Sequence, residues 1–108
     1  MTFKTAAYGS STRNRLQLTS VKTNTPLIVV FNTSRNHEPF TSSISFGTGE
    51  VSDIQTNETF GNFGAINYSR NLIVTGNAVS ATINISGTYD SSDSGYIASL
   101  SALYFANT

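Results

Sequence analysis

The stretch that decides the fold is Leu72-Ile73-Val74-Thr75, then Gly76-Asn77, then Ala78-Val79-Ser80-Ala81-Thr82-Ile83-Asn84-Ile85-Ser86. Apolar and polar residues alternate after the Gly-Asn pair, as in a strand with one buried and one solvated face. A Gly-Asn pair between two such runs indicates a two-residue hairpin turn, because both residues tolerate a positive φ. The pattern predicts an antiparallel hairpin with Val74 opposite Val79. It also places Leu72 opposite Ala81.

Similar short runs recur along the whole chain, and turn residues separate them about every 8–12 residues. The predicted strands are residues 3–8, 15–21, 27–31, 40–46, 50–55, 63–68, 72–75, 78–86 and 96–106, with 57–62 irregular. Residues 27–31 are apolar on both sides, which indicates a central strand. No run has helical spacing. We therefore predict a single all-β domain over 1–108, an antiparallel β-sandwich of eight or nine short strands, jelly-roll or immunoglobulin-like.

Composition excludes several kinds of stabilisation and chemistry. The chain has 108 residues, enough for one domain to bury a core without covalent cross-links. It contains no cysteine, which excludes disulfides, thiolate metal sites and cysteine nucleophiles. The 38% hydrophobic content is concentrated in strand-like runs, which favours a folded domain over disorder.

Charge is sparse and balanced, with six Lys and Arg against six Asp and Glu. We expect no nucleic-acid partner, because such proteins usually carry a basic surface. Arg13 and Arg15 form the only local cluster of cations, which we interpret as a solvated strand entry in preference to an anion or phosphate contact. The longest apolar run, Leu27 to Phe31, is too short to cross a membrane, so no membrane partner is expected.

Hydroxyl and amide side chains take the place of charge, with 16 Ser, 15 Thr and 11 Asn. Such surfaces are typical of extracellular, adhesive and virion proteins. The first twenty residues lack the apolar stretch of a signal peptide. Either the chain is a fragment or mature form, or it is made in the cytosol and reaches the outside by assembly or lysis. We expect a virion or extracellular surface location.

No constellation indicates catalysis or a bound cofactor. The sole histidine, His37, lies in the polar run 35–38, and there is no Gly-x-Ser-x-Gly nucleophile motif. Asp90 and Asp93 flank two serines in a loop, which fits turn chemistry better than a calcium site because too few carboxylates are present. We expect a non-enzymatic protein with no metal and no cofactor.

Exposed aromatic rings beside carboxylates are the side chains that a sugar-binding site would use. The candidates for such a site are Tyr89, Asp90, Asp93 and Tyr96. Packing of each ring at a strand end is the simpler interpretation, and the chain has no Trp, the ring most often stacked on sugars. A carbohydrate-binding, lectin-like module that binds a surface glycan is therefore the alternative function.

The final predicted strand is apolar on both faces at Leu103-Tyr104-Phe105. A strand in the middle of a sheet accounts for this pattern, and so does a subunit interface, which buries an additional apolar face. We take these three residues as the candidate oligomer interface. The favoured function is a structural or attachment module that acts by self-assembly, as a homo-oligomer, a trimer by preference, or within a larger protein assembly. Capsid-decorating and fibre-tip proteins of phage virions are the type expected.

Overall fold

The computed structural model describes residues 2–8, 13–35, 42–62, 68–89 and 97–105. Within these ranges the chain is all-β, as predicted, and contains no helix. The eight strands are β1 (Thr2–Tyr8), β2 (Arg13–Leu18), β3 (Thr25–Arg35), β4 (Ser42–Phe46), β5 (Val51–Asn62), β6 (Tyr68–Ala78), β7 (Ile83–Tyr89) and β8 (Ile97–Tyr104). Strands β3, β5 and β6 have 11 or 12 residues, so they are longer than the short strands expected.

The strands form two antiparallel sheets. The five-stranded sheet has the order β1-β8-β3-β6-β5, and the three-stranded sheet has the order β2-β7-β4. Three pairings are nested along the chain, because β1 pairs with β8, β2 with β7, and β3 with β6. Strands from the first half of the chain therefore pair with strands from the second half in reverse order. Successive pairs lie alternately in the five-stranded and the three-stranded sheet. Strand β3 lies between β8 and β6, which confirms the predicted central strand.

Inward side chains of both sheets form a common hydrophobic core. Phe31 on β3 is fully buried, and its ring centroid lies 6.4 Å from that of Tyr89 on β7. Gly87, also on β7, faces the same ring, and a Cβ added there would lie 2.8 Å from Phe31 Cε2. The two sheets therefore contact each other face to face, with β7 close above β3.

The predicted hairpin at Gly76-Asn77 is wrong. Both residues lie inside β6, where Gly76 pairs with Leu27 of β3. Val74, expected opposite Val79, pairs with Val29 instead. The chain turns at residues 79–82 and then enters β7, which belongs to the other sheet. Strands β6 and β7 are thus consecutive but do not pair, and Leu72 has no cross-strand partnership with Ala81.

Gly76 allows a close approach between two strands rather than a turn. Its neighbour β5 has a register shift between Ser52 and Gln55, with Asp53 at a φ of 53°. A Cβ at position 76 would lie 2.6 Å from Val51 Cγ1 and 2.9 Å from the Ser52 carbonyl oxygen. A glycine inside a strand commonly marks such a bulge or contact. The residue that suggested a turn is therefore required by the bulge on the next strand.

We predict that Gly76→Ala lowers the free energy of unfolding by about 1–3 kcal/mol, because the added methyl group overpacks the β5–β6 contact. The loss should be smaller in a Val51→Ala background but should not vanish, since the Ser52 carbonyl remains in place. Urea unfolding of the four proteins in this cycle measures both effects. An unchanged unfolding midpoint for Gly76→Ala would contradict the placement of residue 76 inside the sheet.

Strand β5 is longer than predicted, because residues 57–62, predicted to be irregular, continue it to Asn62. The side chains of residues 52–59 are all exposed, although the strand pairs with β6 along one edge. The five-stranded sheet is wider than the three-stranded one, so β5 extends beyond the common core. A strand solvated on both faces has no apolar alternation to reveal it. The predicted strand at 63–68 lies almost entirely outside the described residues.

Candidate functional site

The outward face of the five-stranded sheet brings apolar side chains together from three neighbouring strands. Ile28 on β3 pairs with Leu103 on β8, and Val30 on β3 pairs with Ile73 on β6. Directly opposed residues project from the same face, so these four side chains are neighbours. Phe105 follows β8 on the same face, and its amide donates to a β3 carbonyl oxygen at 3.2 Å. We call Ile28, Val30, Ile73, Leu103 and Phe105 the outer patch.

The outer patch is partly accessible to solvent. Ile73 is 39% exposed and Phe105 is 38% exposed, while Ile28, Val30 and Leu103 are half-buried by their neighbours. An exposed apolar patch surrounded by polar residues is typical of a protein–protein interaction site. The inward face of the same strands differs from the outer patch, because the second sheet already covers its apolar residues.

The surroundings of the outer patch are polar but uncharged. Across β3, β6 and β8, every described residue that alternates outward with the patch is apolar, a hydroxyl or an amide. The polar members nearest to it are Asn32, Asn71, Thr75, Ser99 and Ser101. A second molecule could approach this face without any charge on these three strands having to lose its water or its partner.

Within the described ranges, Glu50, Asp53, Glu58 and Arg70 make hydrogen bonds or ion pairs with other side chains. Arg70 and Glu58 form an ion pair on the inward side of the part of the sheet that extends beyond the core. Asp53 accepts a hydrogen bond from Asn77 Nδ2 at 3.2 Å, beside the β5 bulge. The Glu50 carboxylate accepts two hydrogen bonds from Asn84 of β7, in the three-stranded sheet. The described outward positions of β3, β6 and β8 are therefore neutral, and the carboxylate of Asp53 borders them at the β5 edge, where it bonds Asn77.

The predicted oligomer-interface residues are divided between the two faces of β8. Leu103 and Phe105 belong to the outer patch, whereas Tyr104 is only 6% exposed and is part of the core. Alternation along β8 explains the division, since neighbouring residues project from opposite faces. Sequence reasoning missed Ile28, Val30 and Ile73. The available signal was that residues 27–31 are apolar on both sides, so both faces of that strand need covering.

Of the four predicted ligand-binding residues, the described structure contains Tyr89 alone. Tyr89 is 4% exposed and packs in the core against Phe31, so its ring cannot stack on a sugar at the surface. Asp90, Asp93 and Tyr96 lie outside the described residues, as does His37.

A second surface feature is a shallow groove of mixed polar and apolar lining on the outward face of the three-stranded sheet, called the polar groove here for its four polar side chains. Its volume is about 470 Å³. Arg15 of β2 lies opposite Ser86 of β7, and Gln17 lies opposite Asn84, so these four residues form two adjacent cross-strand rows. The groove is lined by Arg15, Leu16, Gln17, Asn84, Ile85 and Ser86.

The amide groups in this groove are held by a carboxylate. Glu50 accepts hydrogen bonds from the Asn84 backbone N–H at 2.7 Å and from Asn84 Nδ2 at 2.8 Å. Gln17 Nε2 in turn donates to Asn84 Oδ1 at 2.8 Å. A Cβ at Gly47 would collide with the Glu50 carboxylate, so glycine at that turn position lets Glu50 fold back over the strand end. Two exposed amides are thus fixed in orientation.

Within the described ranges, no three His, Asp or Glu side chains gather where they could hold a metal ion together. No helix long and apolar enough to span a membrane occurs in the same part of the chain. The chain was compared with family models, with curated proteins and with solved structures, and none of the three comparisons gave a match.

Proposed function

We propose that this chain is a non-enzymatic structural or attachment module that acts by self-assembly. The setting proposed is a virion, where it would be a capsid-decorating or fibre-tip domain, or another extracellular surface. The outer patch is the observation that supports the proposal, because it leaves five neighbouring apolar side chains partly or fully accessible in the single chain. The location is supported only by the composition, which is rich in Ser, Thr and Asn and poor in charge.

A second copy of the chain is the occupant that the chemistry of this face favours. Interface centres are depleted in charged residues, and the described outward positions around the patch carry none. When a surface meets a copy of itself, every charge risks a like-charge contact, so a neutral face suits self-pairing. The chain as a whole also has a formal net charge of zero, so copies do not repel one another at long range.

The size of the face is also sufficient. Five strands about 4.8 Å apart, with about eight residues of 3.3 Å each, cover about 650 Å² in projection. Stable protein–protein interfaces bury about 800 Å² of accessible surface on each partner. A corrugated sheet face has more accessible surface than its projection, so pairing over all five strands, which includes the β5 edge with Asp53 as well as the outer patch, reaches the size of a stable interface.

A trimer is the oligomer predicted by preference from the sequence. A single flat face is most simply buried by a twofold pair, in which the same patch of both copies is used. A trimer would need the patch to contact a different surface of the next copy. The outer patch thus supports a closed dimer at least as well as a trimer, and the stoichiometry is decided by the native mass.

We further propose that the architecture is a jelly-roll sandwich. The order β1-β8-β3-β6 beside β2-β7-β4, with its nested pairs, supports this class over an immunoglobulin-like one. Strand β5 departs from complete nesting, because it pairs with β6 instead of β4. Jelly rolls occur in both viral capsid and lectin domains, so the class is compatible with either function and decides neither.

The native mass tests the proposed function. We expect size exclusion with light scattering, across a dilution series, to give two or more times the chain mass of 11.6 kDa at the highest concentrations. The oligomer should dissociate only on dilution and should be little affected by salt, because its interface is uncharged. A mass of one chain at every concentration would contradict self-assembly.

Carbohydrate binding is the second candidate function. It is supported by the polar groove, whose amides are fixed in position by Glu50. The groove lies on the other sheet from the outer patch, so one molecule could both assemble and bind a glycan. A broad glycan array that gives no hit would contradict this function.

A further inference from the structure

We propose that the polar groove between β2 and β7 binds a sugar acid, a saccharide that carries a carboxylate. Arg15 would bind the carboxylate, and Gln17, Asn84 and Ser86 would bind ring hydroxyls. This inference rests on the second candidate function, carbohydrate binding, and is independent of self-assembly through the outer patch.

Arg15 supplies the charge. Its side chain is exposed on β2, the residue opposite it is Ser86, and it makes no ion pair within the part of the chain that the structure describes. A guanidinium presents its donors in a planar fork that matches the two oxygens of a carboxylate. The nearby carboxylate of Glu50 is already hydrogen-bonded to Asn84. Arg15 is therefore free to bind an external anion.

The side-chain amides of the groove supply hydrogen-bond donors and acceptors for the hydroxyls of a sugar. Gln17 uses one N–H to bind Asn84 Oδ1, which leaves its other N–H and its carbonyl oxygen for a ligand. A hydroxyl can both donate and accept, so it suits such a pair of groups. Because Glu50 and Asn84 already hold the network in place, less side-chain entropy is lost when a ligand binds.

The polarity of the groove distinguishes a sugar acid from other ligands. Arg15 lies in one cross-strand row with Ser86, and Asn84, which Glu50 holds, lies in the next row, about 7 Å along the strands. A ligand with its carboxylate at the Arg15 row and hydroxyls at the Asn84 row satisfies both rows.

The test is a titration followed by NMR chemical shifts or calorimetry, with glucuronic acid, glucose and acetate as probes. We expect saturable binding of glucuronic acid, with shifts at residues 15–17 and 84–86, and binding of glucose and acetate at least about tenfold weaker. Arg15→Gln should weaken glucuronic acid binding about tenfold. The matched control is Lys22→Gln, which removes the same charge from an exposed position outside the groove and should leave binding unchanged.

Arg15 is exposed, so both variants are expected to keep the parent's unfolding midpoint. Equal affinity for glucose and glucuronic acid would overturn the sugar-acid assignment but keep carbohydrate binding. Acetate bound as tightly as glucuronic acid would reduce the groove to a general anion site and overturn the proposal. If none of the three probes binds, both the sugar-acid assignment and carbohydrate binding at this groove are wrong. An effect of Lys22→Gln equal to that of Arg15→Gln would likewise overturn the role given to Arg15.

Discussion

Phe31→Ala is expected to lower the free energy of unfolding by about 3–5 kcal/mol, the largest loss of stability predicted for a single substitution in this chain. The ring is fully buried, packs on Tyr89 and lies under Gly87, so its removal opens a cavity where the two sheets meet. A domain of this size has only about 5–15 kcal/mol of stability, so the variant should unfold at much lower urea concentration. A loss under about 1 kcal/mol would contradict the packing of β7 on β3.

Gly87→Ala provides a second test that does not rely on a variant close to unfolding. The added methyl group would lie 2.8 Å from the Phe31 ring, which should cost about 1–3 kcal/mol. All three nearest atoms belong to that ring, so a smaller side chain at position 31 should relieve the clash. In a Phe31→Leu background the cost of Gly87→Ala should therefore fall clearly. Equal costs in both backgrounds would show that positions 31 and 87 are not in contact.

The second large effect is expected on assembly. The double variant Leu103→Asp, Phe105→Asp should raise the dissociation constant of the oligomer about a hundredfold or more, because each copy would bury unpaired charges. Ile73→Asp, at a more exposed position of the same outer patch, should act in the same direction with less effect on the fold. Light scattering across a dilution series measures both.

Val79→Asp is the matched control for these variants. Val79 is 47% exposed and lies outside the outer patch, in the connection between β6 and β7. The same apolar-to-acidic change there should leave the native mass unaltered. If the double variant and Ile73→Asp kept the parent's mass and unfolding midpoint, as Val79→Asp is expected to do, the outer patch would not be the interface. If Val79→Asp alone dissociated the oligomer, the interface would lie at that end of the sheets.

The class of the fold could be predicted from the sequence because alternation and two-sided apolar runs depend only on local residues. Residues 27–31 indicated a central strand, and β3 occupies that position. The failure at Gly76 has a physical cause, since glycine serves a turn and a close strand contact equally well. Which of the two applies depended on the bulge at Asp53, more than twenty positions away along the chain. No local pattern contains that information.

The candidate sites were only partly predictable for a similar reason. Leu103 and Phe105 could be predicted because they belong to the apolar run 103–105 at the strand end, but their neighbours Ile28 and Ile73 come from other strands. The register that brings these residues side by side is set by long-range pairing. The groove amides were missed because Gln17 and Asn84 are ordinary exposed residues in sequence. Only the folded chain places Glu50 where it can hold Asn84.

The most direct test of the central claim, burial of the outer patch between copies, is the reactivity of a single introduced thiol. The chain has no cysteine, so Ile73→Cys and the control Val79→Cys each carry one reporter. The rate of alkylation by a maleimide is measured at concentrations below and above the assembly midpoint. The account predicts that the thiol at 73 becomes about tenfold less reactive on assembly, while the thiol at 79 does not change. Equal reactivity at position 73 in the dilute and the concentrated protein would contradict it.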